Sequence, residues 1–202
     1  KGKWIWADVQ VKEPFQLVAF EKSFSLDSVP DKAEIYITAD TFYRLRINGK
    51  FVMHGPARSS AKHATLDVVD IMPYIKTGKN TIYVEAVYGN YMFEALAQAP
   101  GFLCEIHTVK SEQVNVIASD STWKSCELTR WDRNSPKYSY QRGWVEDIDG
   151  RKDAELDWKP AVVLGEVGMK PWSVVEIRDV PLPSTLKDVR PIEAVSVVRG
   201  AE

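Results

Sequence analysis

The sequence predicts an all-β chain folded as a jelly-roll β-sandwich, and three observations carry that expectation. Short runs of β-branched and aromatic residues recur along the chain, separated by Gly, Pro, Asn and Asp at sandwich-like spacing. An Asn48-Gly49 dipeptide sits between two such runs, where a tight hairpin turn needs residues that tolerate positive φ. No helical period is sustained beyond a turn or two. At 202 residues the chain is long enough for one large sandwich with a substantial core. At most short helical turns are expected beside about ten strands.

Trp4 and Trp6 flank Ile5 in an apolar start that Glu13-Pro14 interrupts. Leu17 to Leu26 reads as a strand with Val18, Phe20 and Phe24 pointing inward, and Ala33 to Ala39 as the next. Phe42 to Ile47 then runs into the Asn-Gly turn and Lys50 to Met53 runs back. A two-residue turn would set Leu45 opposite Val52 and Tyr43 opposite His54. Pro56 ends the ladder because it has no amide hydrogen to contribute. Leu66 to Ile75 offers Asp70 as a helix N-cap with Pro73 in the first turn, and Gly78 closes that turn. Thr81 to Val87 returns to a strand, with Ile82, Val84 and Ala86 on one face.

Tyr88 to Pro100 mixes aromatics and small residues without a period, and reads as a loop. Gly101 to Val109 alternates Phe102, Cys104 and Ile106 against Leu103, Glu105 and His107, and Val114 to Ala118 completes a second hairpin. Trp123 lies where a turn enters a short strand. Thr129 to Leu156 is the longest stretch without a repeating pattern, and a loop of that length, rich in aromatics, is expected to be functional. Trp172 to Val180 reads as a final core strand. The expected boundary puts the sandwich in residues 1–181, with a linker and the start of a further domain in 182–202.

Composition excludes several function classes. The net charge is −2 with 27% charged residues, so nothing marks a nucleic-acid surface. The apolar runs are short and broken by charge, which leaves no membrane helix. Two cysteines, Cys104 and Cys126, do not make a disulfide framework and are expected as buried thiols. His54, His63 and His107 stand alone, with no zinc-ligand spacing. No nucleophile elbow or phosphate loop is present.

Four motif groups remain: YRLRING with GPAR, VDI with GKN, DSTWK, and GWVEDIDGR. Together, from Trp4 to about Pro181, they resemble the N-terminal β-sandwich domain of bacterial α-L-rhamnosidases, which is galactose-binding-domain-like. More distantly they are similar to the domain that opens β-galactosidases and β-glucuronidases. Glu146 followed by Asp149-Gly150-Arg151 matches a pattern that recurs at this place in rhamnosidase N-terminal domains. The resemblance implies that the catalytic carboxylates lie in a separate (α/α)6 barrel outside these residues. It implies a catalytic domain of the same polypeptide as partner, rhamnose-containing glycans as a further partner, and an extracytoplasmic location.

Side chains suited to such a role fall in two aromatic loops. Tyr88, Asn90 and Tyr91 form one set; Trp131, Arg133, Asn134, Tyr138, Tyr140 and Trp144 form the other. Rings stack on the apolar faces of pyranoses while planar polar groups bond hydroxyls. The competing reading has Trp131, Trp144 and Trp158 covering the sandwich edge or packing on a neighbouring domain. Arg58 of GPARS suits a contact between domains. Glu146, Asp147 and Asp149 are the one acidic group that could carry glycoside hydrolysis, which needs two carboxylates about 5 to 9.5 Å apart. Arg142 and Arg151 bracket them, and ion pairing lowers carboxyl pKa values where an acid catalyst needs one raised. No catalytic residue and no cofactor is therefore expected. Calcium stays open, with Asp147 and Asp149 or Asp67 and Asp70 as oxygen donors, although no calcium-loop pattern is present. Three functions follow: an accessory domain of an α-L-rhamnosidase, an independent carbohydrate-binding module, or a self-contained glycosidase using Glu146 with Asp147 or Asp149.

Overall fold

The alternating runs pair into two main sheets and one small hairpin. A computed structural model describes residues 1–11, 15–58, 60, 62–89, 98–139, 143–153 and 156–182. The strands are β1 (Lys3–Trp6), β2 (Phe15–Leu26), β3 (Lys32–Asp40), β4 (Phe42–Ile47), β5 (Lys50–Gly55), β6 (His63–Asp70), β7 (Gly78–Gly89) and β8 (Gly101–Lys110). They continue with β9 (Gln113–Ala118), β10 (Lys124–Glu127), β11 (Lys137–Ser139), β12 (Gly143–Trp144), β13 (Lys159–Pro160), β14 (Val162–Glu166) and β15 (Val174–Ile177). Two short 3₁₀ turns, Met72–Tyr74 and Gly150–Asp153, are the helical elements among the described residues, and no helix is long and apolar enough to cross a membrane.

The seven-stranded sheet has the order β14-β1-β8-β3-β6-β15, and β9 pairs with the stretch of β8 from Glu105 to Lys110, beyond the point where β1 meets it at Ile5 and Phe102. The six-stranded sheet runs β13-β10-β2-β7-β4-β5, and β11 pairs with β12. All of these pairings are antiparallel except β15 on β6. The fold is thus the antiparallel β-sandwich that the alternation predicts.

Successive strand residues point to opposite faces, so each strand feeds two environments. Between the sheets lie Ile5, Trp6, Val18, Phe20, Ile35, Ile37, Leu45, Ile82, Val84, Ala86, Phe102, Cys104, Ile106 and Trp123, with Phe24 packed at the margin. Val18 and Phe20 of β2 lie in that core as expected, with the rows that alternation groups on one face of β7 and β8. The outer face of the six-stranded sheet is also covered. Phe15, Leu17, Ala19 and Val87 pack there under Leu128 and Trp131. This double burial explains why β2 begins as a continuously buried run from Phe15 to Phe20, apolar except for Gln16, rather than an alternating one. On the outer face of the seven-stranded sheet, Trp4, Ala64 and Leu103 pack under Trp172. Cys104 and Cys126 are buried and not joined in a disulfide, as expected.

Four local expectations are corrected. The Asn48-Gly49 turn forms with both residues at positive φ, but a bulge follows it: Arg46 pairs with Phe51, then Leu45 with Met53 and Tyr43 with Gly55. Val52 is the inserted residue, which lets Val52 and Met53 both turn inward. Residues 63–70 are strand rather than the approach to a helix, because β6 pairs with β3 from Glu34↔Asp70 to Ile37↔Asp67. Asp70 does not cap a helix; its Oδ1 accepts the Met72 amide at 2.9 Å, and Ile71 holds the cap position of the 3₁₀ turn. Trp172 to Val180 is no core strand. Only Val174–Ile177 is extended, and it lies along the edge of β6 with half its residues exposed.

Candidate functional site

The unpatterned stretch after β10 becomes a layer over the six-stranded sheet. Its backbone folds on itself: Trp131 bridges Ile148, the Asp132 amide bonds the Asp147 carbonyl, and the Asp149 amide bonds the Arg130 carbonyl, each bond 2.9 Å. Its tryptophans face the sheet. Trp131 is 5% exposed, its ring centroid 4.5 Å from Phe15, and its indole N–H donates to the Val145 carbonyl at 2.8 Å. Trp144 packs on the same Phe15 at 6.0 Å, and the Lys137 ammonium stands 5.0 Å above its ring. Trp158 meets Tyr83 edge-on at 6.4 Å. Trp131, Trp144 and Trp158 therefore cover the sheet. Their rings are spent on burying the outer apolar row of β2 and β7.

Ion pairs fasten this layer. Arg130 meets Glu85 at 2.6 Å and Arg133 meets Glu127 at 2.6 Å, all four side chains largely sheltered. Glu127 also accepts the amide of the fully buried Gln16 at 3.2 Å. Glu146 pairs with Arg44 of β4, and Asp149 is chelated by Arg151 through Nε at 2.8 Å and Nη2 at 2.9 Å. The Arg151 hydrogen bonds hold the Asp149 carboxyl below its ordinary value of 3.8. Among the expected candidates, Trp131, Arg133, Asn134, Tyr138, Trp144, Glu146, Asp149 and Arg151 thus share one layer. Asn134 sits in a turn where its amide bonds Asp132, and Tyr138 is the outward member at 70% exposed.

The other candidates lie elsewhere. Tyr88 packs edge-on against Trp6 at 6.5 Å. Arg58 follows β5, its carbonyl accepting the Thr65 hydroxyl at 3.4 Å. Asn90, Tyr91, Tyr140 and Arg142 fall outside the described residues. Of the two calcium pairings, Asp67 is engaged by Tyr43 and Arg178 and Asp70 by the Met72 amide. Among the described residues no group of three His, Cys, Asp or Glu side chains is placed to hold a metal ion.

Sequence reasoning missed the opposite surface. Ile35 and Ile37 point inward, which sends Glu34, Tyr36, Thr38 and Asp40 to the outer face of the seven-stranded sheet. Asp40 is buried there by the segment that crosses from β14 to β15, whereas Asp67, paired with the inward Ile37, is buried between the sheets. Asp40 accepts the indole N–H of Trp172 at 2.9 Å and the Gln98 and Ala99 amides at 2.9 and 3.3 Å, while Trp172 stacks on Trp4 at 3.9 Å. Asp67, wholly buried, accepts the Tyr43 hydroxyl at 2.5 Å and faces Arg178 at 3.0 Å. Burial raises both carboxyls above 3.8 despite those partners. Beside this crossing opens a cleft of about 560 Å³, lined by Tyr36, Leu66, Leu103, Glu105, Glu166 and Val175 among others. The period-2 polar row of β3 was the signal that could have located it.

Comparison with known proteins fits this geometry to a family. The family model described as the α-L-rhamnosidase N-terminal domain matches residues 28–192. The chain belongs to that family. Among solved structures, this rhamnosidase N-terminal domain is similar to the GH78 family rhamnosidase of Bacillus sp. GL1, at 31% identity and a TM-score of 0.78 over 90% of this chain. It covers 20% of that protein. The α-L-rhamnosidase of Dictyoglomus thermophilum shares the fold at 20% identity and a TM-score of 0.62, with 89% of this chain and 22% of that one covered. The apo lectin of Pleurotus ostreatus shares it at 21% identity and a TM-score of 0.55, with 86% and 45% covered. A comparison with curated protein sequences gave no match. The chain thus spans about a fifth of the rhamnosidases it matches.

Proposed function

We propose that this chain is a non-catalytic accessory domain of an α-L-rhamnosidase, seated against a catalytic (α/α)6 barrel of the same polypeptide, outside the cytoplasm. The observation that carries the reading is the family match over 28–192 joined to a coverage of only a fifth of the Bacillus enzyme. The site chemistry supports it. Glycoside hydrolysis wants one carboxyl raised to act as acid beside a second, ionised one. In the 146–149 group, Glu146 is paired with Arg44, and Arg151 lowers Asp149. An ion-paired, inward-facing layer of this kind suits a rigid support better than a reaction centre.

The test is hydrolysis of p-nitrophenyl α-L-rhamnoside. The 202-residue chain releases no nitrophenol above background, whereas a full-length parent enzyme does. Release by this chain alone, abolished by Glu146→Gln, would overturn the reading in favour of a self-contained glycosidase.

A further inference from the structure

We propose that the cleft on the outer face of the seven-stranded sheet binds a neutral glycan bearing a 6-deoxyhexose. Only the choice of sugar rests on the accessory-domain reading; the cleft and its chemistry stand without it. Its volume, about 560 Å³, lies within the range of small-ligand sites, roughly 300 to 1,000 Å³. Leu66, Leu103 and Val175 give it apolar surface, and Tyr36 gives an aromatic one. The Tyr36 ring is fixed by packing at a tilt of 37° against His107, centroids 4.6 Å apart, and by its hydroxyl's bond to Glu34 at 3.2 Å.

Beside one cation, Lys1, the charged groups of the lining are the acceptors Glu105 and Glu166. Glu105 takes the Gly2 amide on Oε1 at 2.5 Å and faces Nε2 of His107 with Oε2 at 2.7 Å. Each carboxylate oxygen has about two lone-pair sites, so one on each stays open to a ligand. Burial alone would raise the Glu105 carboxyl, but the Gly2 amide and His107 together hold it below its ordinary value of 4.5. It therefore stays ionised, as an acceptor, at neutral pH. Glu166 pairs with Lys3 at 3.2 Å at the margin. Glu105 and Glu166 outnumber Lys1 in the lining and so disfavour an anion, and an apolar ligand would strip water from these groups without replacing it. A ligand that offers several hydroxyl donors and one apolar methyl satisfies both surfaces. That is the chemistry of a 6-deoxyhexose.

Amide chemical-shift titration of the 202-residue chain tests this. Methyl α-L-rhamnopyranoside is expected to shift Tyr36, Leu66, Leu103 and Val175 in the range up to about 10 mM, a weak affinity typical of a small polar ligand. Methyl α-L-mannopyranoside, differing only by the 6-hydroxyl, is expected to bind at least about fivefold more weakly, because that hydroxyl would face apolar surface. Tyr36→Ala and Glu105→Gln should each weaken binding about tenfold or more. Val167→Trp, at an exposed wall residue, should block the cleft while leaving the melting temperature unchanged. Equal affinity for the two sugars overturns the deoxyhexose assignment. Shifts mapped elsewhere, or binding untouched by Val167→Trp, overturn the site while leaving glycan binding to the domain. Absence of any binding overturns the proposal and leaves the accessory role standing. A concentration-dependent dimer abolished by Val167→Trp, with no sugar shifts, overturns it in favour of a second copy of the chain.

Discussion

Asp40 and Asp67 show how little of a residue's role follows from its type. Both are acids in strands, Asp40 beneath the crossing from β14 to β15 and Asp67 between the sheets, and burial raises both carboxyl pKa values. A carboxyl with a raised native pKa binds its proton more tightly folded than unfolded. Its contribution is therefore complete below its ordinary value of 3.8 and is lost as pH rises through the native value. For Asp40→Asn, whose side-chain oxygen still accepts the Trp172 indole, the stability gap to the parent should narrow between about pH 4 and pH 7. Urea midpoints at the two pH values measure it. A gap that widens would refute the buried-acid account. At Asp67 the outcome differs, because Arg178 would be left without its counter-charge. Asp67→Ala should cost about 3 kcal/mol or more, read from the same midpoints. Neither acid was legible as buried. The sequence shows Asp67 between Leu66 and Val68, which reads as a break in an apolar run; its partners, Tyr43 and Arg178, are distant in the chain.

The strands whose apolar residues alternate cleanly were legible at the scale of the element. β4, β7 and β8 formed with the faces that alternation assigned them. The misses share a cause: their pairing depends on partners remote in sequence. The bulge at Val52 arises because two inward residues must serve one partner position, and β15 exists only because β6 offers it an edge. Two predictions belong here. Gly49 sits at φ +79° with open space where a Cβ would go, so Gly49→Ala should cost about 1 kcal/mol through backbone conformation alone. Thermal or urea unfolding checks it. Trp172→Ala should cost about 3 to 5 kcal/mol, since it removes a buried ring stacked on Trp4 and the donor to Asp40. A Cβ on Gly101 would fall 2.3 Å from that ring, a measure of how closely it is seated. Hydrogen exchange in the variant should lose protection at Val174–Ile177 first, with Ile35 and Ile37 still protected. Uniform loss across both sets would show that the crossing and the sandwich open as one unit.

Over the whole molecule, the fold was more readable than its surface. Period-2 patterning and turn residues specify a sandwich because burial between two sheets demands that alternation. They are silent on what covers the outer faces, where Trp131 and Trp172 each pack on residues far away in the chain. That is why the packing of Trp131 and Trp144 over the sheet, and the cleft around Tyr36, could not be read from the sequence alone. The same remoteness bears on folding. β3 pairs with β8 from Lys32↔Val109 onward, and β2 with β7 along its full length. Such non-local pairing places refolding in the millisecond-to-second range rather than microseconds, which stopped-flow fluorescence of the buried tryptophans would time. Cys104 gives a second clock. It is sealed between the sheets at 0% exposure, with its thiol pKa driven upward by burial. An alkylating reagent can reach that sulfur only when the two layers part, so its labelling rate at neutral pH becomes a gauge of how often the sandwich opens.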